Sequence, residues 1–261
     1  MQRILGELLD LLVPRACAAC GAETVTLCGR CLGELAVPVR STVPRYGTRE
    51  VHGAGEYTGV LRDCLLAYKE RDRRDLTALL GLLLARAVLA VLEHSPGTSP
   101  PPASLSAALP AAPPPAPPPP AALLVPVPAT PAAVRRRGAD HVAVLGARAA
   151  ALLRAEGLDV RCAPLLEVRA HRDQVGFGST ARRRNVRGTH RASAGAAGLL
   201  AGTRTAAAAG ARIVVLDDIC TTGATVAEST RALTAVRIPV DGVAVVGIAP
   251  GGPRTAPGDG I

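Results

Sequence analysis

The sequence predicts an α/β domain built on a doubly wound, mainly parallel sheet, with a small metal module ahead of it. Three observations predict this. Between Glu50 and Ile248, short apolar runs rich in Val, Leu and Ile alternate with segments of helical spacing, the order that parallel strands with crossover helices require. One run, Ile213-Val214-Val215-Leu216, stops at the paired acids Asp217 and Asp218, and a Thr/Gly loop then opens a helical segment. Ligands bind such sheets at the carboxyl ends of their strands. Four of the seven cysteines form the pairs Cys17-x2-Cys20 and Cys28-x2-Cys31, a spacing suited to one tetrahedral metal ion.

Composition narrows the class. With 48% hydrophobic residues but only 2% aromatic ones, the core must be built from Leu, Val, Ala and Ile. Lys69 is the single lysine among thirty basic residues. The net charge of +9 is concentrated: Arg135 to Arg191 holds 13 arginines against five acids, a local +8. Such a region suits a polyanion, either a pyrophosphate or a nucleic acid, the alternative being a solvated arginine face. The best apolar stretch, Leu79 to Leu92, is interrupted by Arg86 and reads as too short for a membrane span. No membrane insertion, no signal peptide and a cytoplasmic location are therefore expected.

The elements follow in order. Residues 1–40 are expected to hold an N-terminal amphipathic helix over Met1 to Val13 and the four-cysteine module. Cys17, Cys20, Cys28 and Cys31 would hold a structural Zn2+, since four thiolates leave no open position for water, and disulfides are disfavoured in the cytosol. The alternative is four reduced or redox-active cysteines without metal. Residues 41–94 begin the main domain, with an edge strand over Glu50 to Tyr57, a helix from Thr58 to about Lys69, and a Leu/Ala-rich helix from about Arg74 to His94.

Residues 95–122 form a Pro/Ala-rich tract with more than half of the 23 prolines. Proline removes backbone donors and fixes φ, so a disordered insert is expected there. Residues 123–249 complete the domain. Leu123 to Pro128 reads as a buried strand ending in a proline-held turn. A helix with Val142, Leu145, Ala149 and Leu152 on one face follows, then a strand at Val160 to Ala163. Ile213 to Leu216 is the strand before the acids, Val226 to Val236 the helix after the loop, and Val240 to Ile248 the last strand, with a disordered tail from 250 to 261. Cys64 and Cys162 read as small buried hydrophobes. Cys220 lies in the loop, where a helix dipole would lower its pKa.

The acid–loop corner has a chemical logic. Loop amides and a helix N-terminus present N–H groups to an anion, and Thr221, Thr222 and Thr225 add hydroxyls. Gly223 permits a close turn. Carboxylates would repel a phosphate, but they accept from the hydroxyls of a neutral sugar diol. A ribose carrying a 5′-phosphate satisfies both halves. The alternative is a plain strand end with a capped helix.

Asp217-Asp218-Ile219-Cys220-Thr221-Thr222-Gly223 resembles the phosphoribosyl pyrophosphate (PRPP) signature of the type I phosphoribosyltransferases. Further segments are similar to one branch of that fold, the competence-associated ComF family, also called ComFC or GntX-like. They are the double Cys pair, Tyr57-x-Gly59-x-Leu61-Arg62 leading to Tyr68-Lys69, Val125-Pro126-Val127-Pro128, Arg135-Arg136-Arg137-Gly138-Ala139-Asp140-His141, then Arg169, Asp173-Gln174, and Arg182 to Gly188. Their order and spacing match over nearly the whole chain, apart from the proline insert. Ala181 and Thr189-His190 depart from the family pattern, in the region that would form a hood over the site.

The resemblance implies a type I phosphoribosyltransferase-like fold, PRPP or a related phosphoribosyl nucleotide as ligand, and Mg2+ as cofactor. It places Asp217 and Asp218 on the ribose diol as the catalytic pair. It places Ile219, Cys220, Thr221, Thr222, Gly223, Ala224 and Thr225 around the 5′-phosphate. The turn at Pro128 would be the pyrophosphate loop, with Arg135, Arg137 and Lys69 as pyrophosphate contacts. Arg169, Gln174, Arg184 and Asn185 would form the hood, and His141 is either a proton carrier or a packing histidine. The expected function is phosphoribosyl transfer to an unidentified acceptor. The alternative is a non-catalytic PRPP-binding module, or one associated with single-stranded DNA or a competence helicase in DNA uptake or nucleotide sensing. The arginine region lacks the interleaved aromatics of a single-strand stacking platform.

Overall fold

The computed structural model describes residues 16–23, 25–47, 49–94, 122–168, 187–208 and 210–250. The expected N-terminal helix, the proline tract up to residue 121, the hood residues Arg169 to Asn185 and the tail from residue 251 lie outside these. The described residues form an α/β fold around a six-stranded, mostly parallel sheet. In chain order the strands are β1 (Arg40–Thr42), β2 (Val51–Glu56), β3 (Ala122–Pro126), β4 (Val160–Cys162), β5 (Leu166–Val168), β6 (His190–Ala192), β7 (Arg212–Cys220) and β8 (Gly242–Ile248). The helices are α1 (Gly29–Glu34), α2 (Gly59–Glu70), α3 (Thr77–Glu93), α4 (Pro131–Arg137), α5 (His141–Ala155), α6 (Ala197–Ala208) and α7 (Ala224–Ala235).

The sheet order is β1-β2-β8-β7-β3-β4, and β5 with β6 makes a separate two-stranded ribbon. Only the β1–β2 pair of the main sheet is antiparallel. β2 is therefore an inner strand rather than the edge, because the three residues of β1 cover it, and a run that short shows no readable alternation.

The apolar runs are buried on both faces, and their parity sorts the layers. Leu124, Val214, Leu216, Ala244 and Val246 join the core under α2, α3 and α5. Val125, Ile213, Val215, Val243 and Val245 join the core under α7. Successive strand residues point to opposite faces, so each run feeds two cores at once, which explains why these strands read as continuous apolar segments. Full burial of each Val or Leu here is worth about 1.5–3 kcal/mol. α5 comes close to the sheet at Gly146, where an added Cβ would lie 2.8 Å from Leu216 Cδ1 and 3.1 Å from Cys162 Sγ.

Three features differ from the sequence expectation. β7 continues through Asp217 and Asp218 to Cys220, because Asp217, Ile219 and Cys220 stay in register with Val245, Gly247 and Ile248 of β8. The acids sit inside the carboxyl-terminal part of the strand, not beyond its end. On α5 Leu145 is buried as expected, but it is Leu153 that joins it, while Leu152 is half-buried. The helix from Arg74 to Glu93 is long and apolar enough to cross a membrane by length and composition, contrary to the shorter stretch read from the sequence. However, 56% of its apolar window is buried in the protein, and it packs on α5, β2 and β8 as a core helix. α4, α6 and the β5–β6 ribbon had no clear periodic signal.

Candidate functional site

Strand parity splits the acid pair. Asp218 shares the face of Val214 and Leu216 and meets α2, where Lys69 Nζ lies 2.8 Å from its Oδ2. Asp217 shares the parity of Ile213 and Val215, is 9% exposed, and accepts the Asp218 amide at Oδ1 over 2.8 Å. Burial first, and the Asp218 charge second, push the Asp217 carboxyl up to about 8; the Asp218 amide and Lys69 pull the other way. Desolvation thus disfavours the ionised form of Asp217, and Asp218 is the acid that carries the ion pair.

Beyond Cys220 the chain bends through exposed Thr221 and half-buried Thr222. Gly223 caps α7 in the left-handed region, with φ +81. A Cβ there would collide with the Tyr46 carbonyl and lie 2.5 Å from Pro44 Cβ. The Tyr46 amide also donates to the Thr222 carbonyl over 2.9 Å, so the β1–β2 connection braces the turn. Gly223 offers no side chain to the first amides of α7, and those amides are the donors an anion needs. Cys220 does not have a lowered pKa: burial, then the Asp217 charge, pushes its thiol up to about 12. Desolvation outweighs the helix dipole, because Cys220 is enclosed on the strand rather than exposed in the loop.

A cationic shell adjoins the acids. His141 opens α5 and stacks on Tyr68 with centroids 4.8 Å apart. Both side chains are buried, and the two His141 ring nitrogens and the Tyr68 hydroxyl have no hydrogen-bond partner among the described residues. Burial lowers the His141 pKa, and the charges of Arg74 and Arg137 lower it further against the opposing pull of Asp218. The Arg74 guanidinium lies 5.6 Å from the Tyr68 ring centroid and donates to the Arg137 carbonyl. Arg137 Nη2 lies 2.7 Å from Glu70 Oε1. The fold therefore brings Lys69, Arg137 and His141 to one place. Arg135 lies exposed on α4. Arg74 and Glu70 belong to no motif, and only their tertiary contacts with Arg137 expose their role.

The turn at Pro128 is more acidic than a pyrophosphate loop requires. Asp140 caps α5 by accepting from Ala143, and its other oxygen accepts the Ala129 amide over 2.8 Å. A cavity of about 680 Å3 beside this turn carries Asp140 and Glu167, the latter paired with Arg191. A second cavity, of about 470 Å3, opens on the first turns of α7 between Arg45, Arg187 and Arg231. An acid-capped helix after a proline turn is a readable signal, whereas the second cavity joins three distant segments.

The four module cysteines form one cluster, with their sulfur atoms all within 4.8 Å of one another and Cys20 Sγ 3.6 Å from Cys28 Sγ. Four sulfurs at tetrahedral zinc bond lengths lie roughly 3.8 Å apart, so the cluster fits a structural metal such as zinc. Burial pushes Cys17 up, but the amides of Cys20, Cys28 and Ala19 outweigh it and bring the thiol down to about 6, favouring a thiolate ligand. The module is held to the domain by the end of α2: Arg71 donates to the Ala18 carbonyl over 3.2 Å and Arg73 to the Ala16 carbonyl over 2.8 Å.

Fold and site together define an α/β protein with an acid pair and a glycine-capped helix turn at the carboxyl end of a mostly parallel sheet, and a tetracysteine cluster that fits a metal ion. Compared with known proteins, the chain matches no family model, and no curated protein matches it.

Proposed function

We propose that the protein binds PRPP or a related phosphoribosyl nucleotide with Mg2+, and transfers the phosphoribosyl group to an acceptor. The observation that carries this reading is the acid pair on β7, followed at once by the braced Gly223 turn and the open N-terminus of α7. Asp218 and Asp217 are suited to the two hydroxyls of a ribose, which donate to carboxyl oxygens. Thr221, Thr222 and the amides from Gly223 to Thr225 are suited to the 5′-phosphate. In the reaction a bond forms between the acceptor and C1 as the C1–O bond to pyrophosphate breaks, and pyrophosphate leaves with the electron pair. Lys69, Arg74 and Arg137 are the cations within reach of that growing charge, and neutral His141 is a base for the acceptor's proton. The Asp218 carboxylate already faces the Lys69 ammonium; Mg2+ held there would neutralise the leaving group. Zn2+ in the tetracysteine cluster and a cytoplasmic location belong to the same reading.

A second reading, a non-catalytic nucleotide-binding module serving DNA uptake alongside single-stranded DNA or a helicase, is favoured by Asp140. Its carboxylate takes the Ala129 amide and places negative charge where a leaving pyrophosphate needs donors. Calorimetry with PRPP and Mg2+, followed by a pyrophosphate-release assay over a panel of bases and amines, tests both. Heat and release support the transferase, and heat without release supports the module. No heat from an intact protein removes both.

A further inference from the structure

We propose that Lys69 is a resident counter-cation of the acid pair, which holds Asp218 in the unliganded protein and yields it to the divalent cation that binds there. The inference rests on the reading of the acid pair as a cation and diol site, but not on the identity of the sugar phosphate.

The geometry is that of a seated ion. Lys69 Nζ lies 2.8 Å from Asp218 Oδ2, with side-chain exposures of only 20% and 13%, so this pair is screened far less than a surface ion pair. The neighbouring arginines have carboxylate partners of their own. Arg137 is paired with Glu70, and Arg74 is bonded to Asp72 and to the Arg137 carbonyl. Asp217 gives its Oδ1 to the Asp218 amide. His141 and Tyr68, buried beside the pair, have polar atoms with no partner among the described residues, so polar groups remain at hand for an arriving ligand.

The residue type supports exchange rather than a permanent clasp. In a chain with 29 arginines, the acid pair is met by the sole lysine. An ammonium is a compact point charge on a flexible stem, while a guanidinium grips a carboxylate with a planar fork. A point charge can be replaced by a metal ion at the same oxygen. An ammonium brings one positive charge to Asp218, whereas a divalent ion brings two to the same pair of acids. Lys69 also lies two residues before Arg71 and four before Arg73, which bind module carbonyls, so its backbone is anchored.

The single lysine makes the test direct. The intact wild-type protein is treated briefly with an amine-acylating reagent, with and without Mn2+, and modification at Lys69 is followed by peptide mapping. Lys69 should acylate slowly in the absence of Mn2+ and about tenfold faster at saturating Mn2+, as the ammonium loses its carboxylate partner. In parallel, Lys69→Met should bind Mn2+ alone about tenfold more tightly than wild type, Lys69→Arg no better than wild type, and Asp218→Asn should lose binding in either background. An unchanged labelling rate while Mn2+ binds overturns the proposal, as does Mn2+ affinity in a folded Lys69→Met protein that fails to rise. Absence of any Mn2+ binding overturns it too. If Lys69→Met does not fold, the wild-type labelling result decides alone. Exchange at Lys69 with no heat from PRPP would sink the proposed function and leave this inference standing; PRPP binding with Lys69 still shielded would do the reverse.

Discussion

His190 Nδ1 lies 2.9 Å from Ser229 Oγ, and both residues are buried, at 5% and 0% exposure. This bond ties β6 to the middle of α7. Glu228 strengthens the joint by accepting the His190 amide, and Arg231 joins Glu228 to the His190 carbonyl. The helix whose N-terminus is the proposed phosphate site is therefore locked to the ribbon that leads into the expected hood. Ser229→Ala should destabilise the protein by about 1–3 kcal/mol, because it strands a buried imidazole nitrogen. Urea unfolding near neutral pH measures the loss. Burial, foremost, holds the His190 pKa below its ordinary value. The folded protein resists protonation there, so this stability is present above the unfolded histidine pKa and is lost as pH falls below it.

Asp217 should give the opposite slope. Its carboxyl is raised in the folded state to about 8, so the folded protein keeps a proton that the unfolded chain releases near the ordinary aspartate range. Stability from this group is full below that range and declines as pH rises towards 8, by up to about 1.4 kcal/mol per pH unit. Several buried histidines titrate in part of the same window, so the informative quantity is the difference between wild type and Asp217→Asn. The wild-type curve should fall relative to the variant as pH rises from about 5 to 8; parallel curves would show that Asp217 is ionised in the fold.

Asp218→Asn should weaken PRPP binding in the presence of Mg2+ by about tenfold or more, while the melting temperature moves little. The backbone of β7 is held by its ladders to β3 and β8 and does not need the charge. Calorimetry and a thermal melt on the same sample separate the two effects. A variant that unfolds, with normal affinity in its folded fraction, would remove Asp218 from the ligand.

Gly223→Ala should be costly at the corner itself. The position requires φ +81, and the added carbon meets Tyr46 and Pro44, so a loss of about 1–3 kcal/mol is expected. Phosphate-dependent thermal stabilisation should disappear with it. A variant as stable as wild type, with unchanged phosphate response, would mean that the turn is looser than its bracing implies.

Chelation should release one metal ion per chain and expose the module. Arg71 and Arg73 hold Ala18 and Ala16 only while the knuckle keeps its shape, so protease cleavage between residues 16 and 35 should accelerate on adding chelator. Metal analysis of reduced, purified protein that finds none would refute the cluster's role.

Local chemistry made much of this architecture readable. The two cysteine pairs announced the metal cluster because knuckle geometry is set by spacing within a few residues. The apolar runs announced buried strands, and the acid pair with its Thr/Gly loop announced the corner, since each is a contiguous stretch whose chemistry is local. β1 and the β5–β6 ribbon were too short for any period to show. The extension of β7 through two carboxylates was hidden because its cause is the register with β8, not the residues themselves.

The chain's own order of residues thus determined the alternation of elements, the position of the acids near a strand's carboxyl end, and the metal-ready quartet. Packing alone decided which acid is crowded and which meets a cation. Asp217 and Asp218 are chemically identical neighbours, yet the strand turns one into a crowded face that suppresses its ionisation and the other towards α2, where Lys69 waits. Burial and partner charge are properties of the assembled layers, and they gave two equal carboxyls different chemistry.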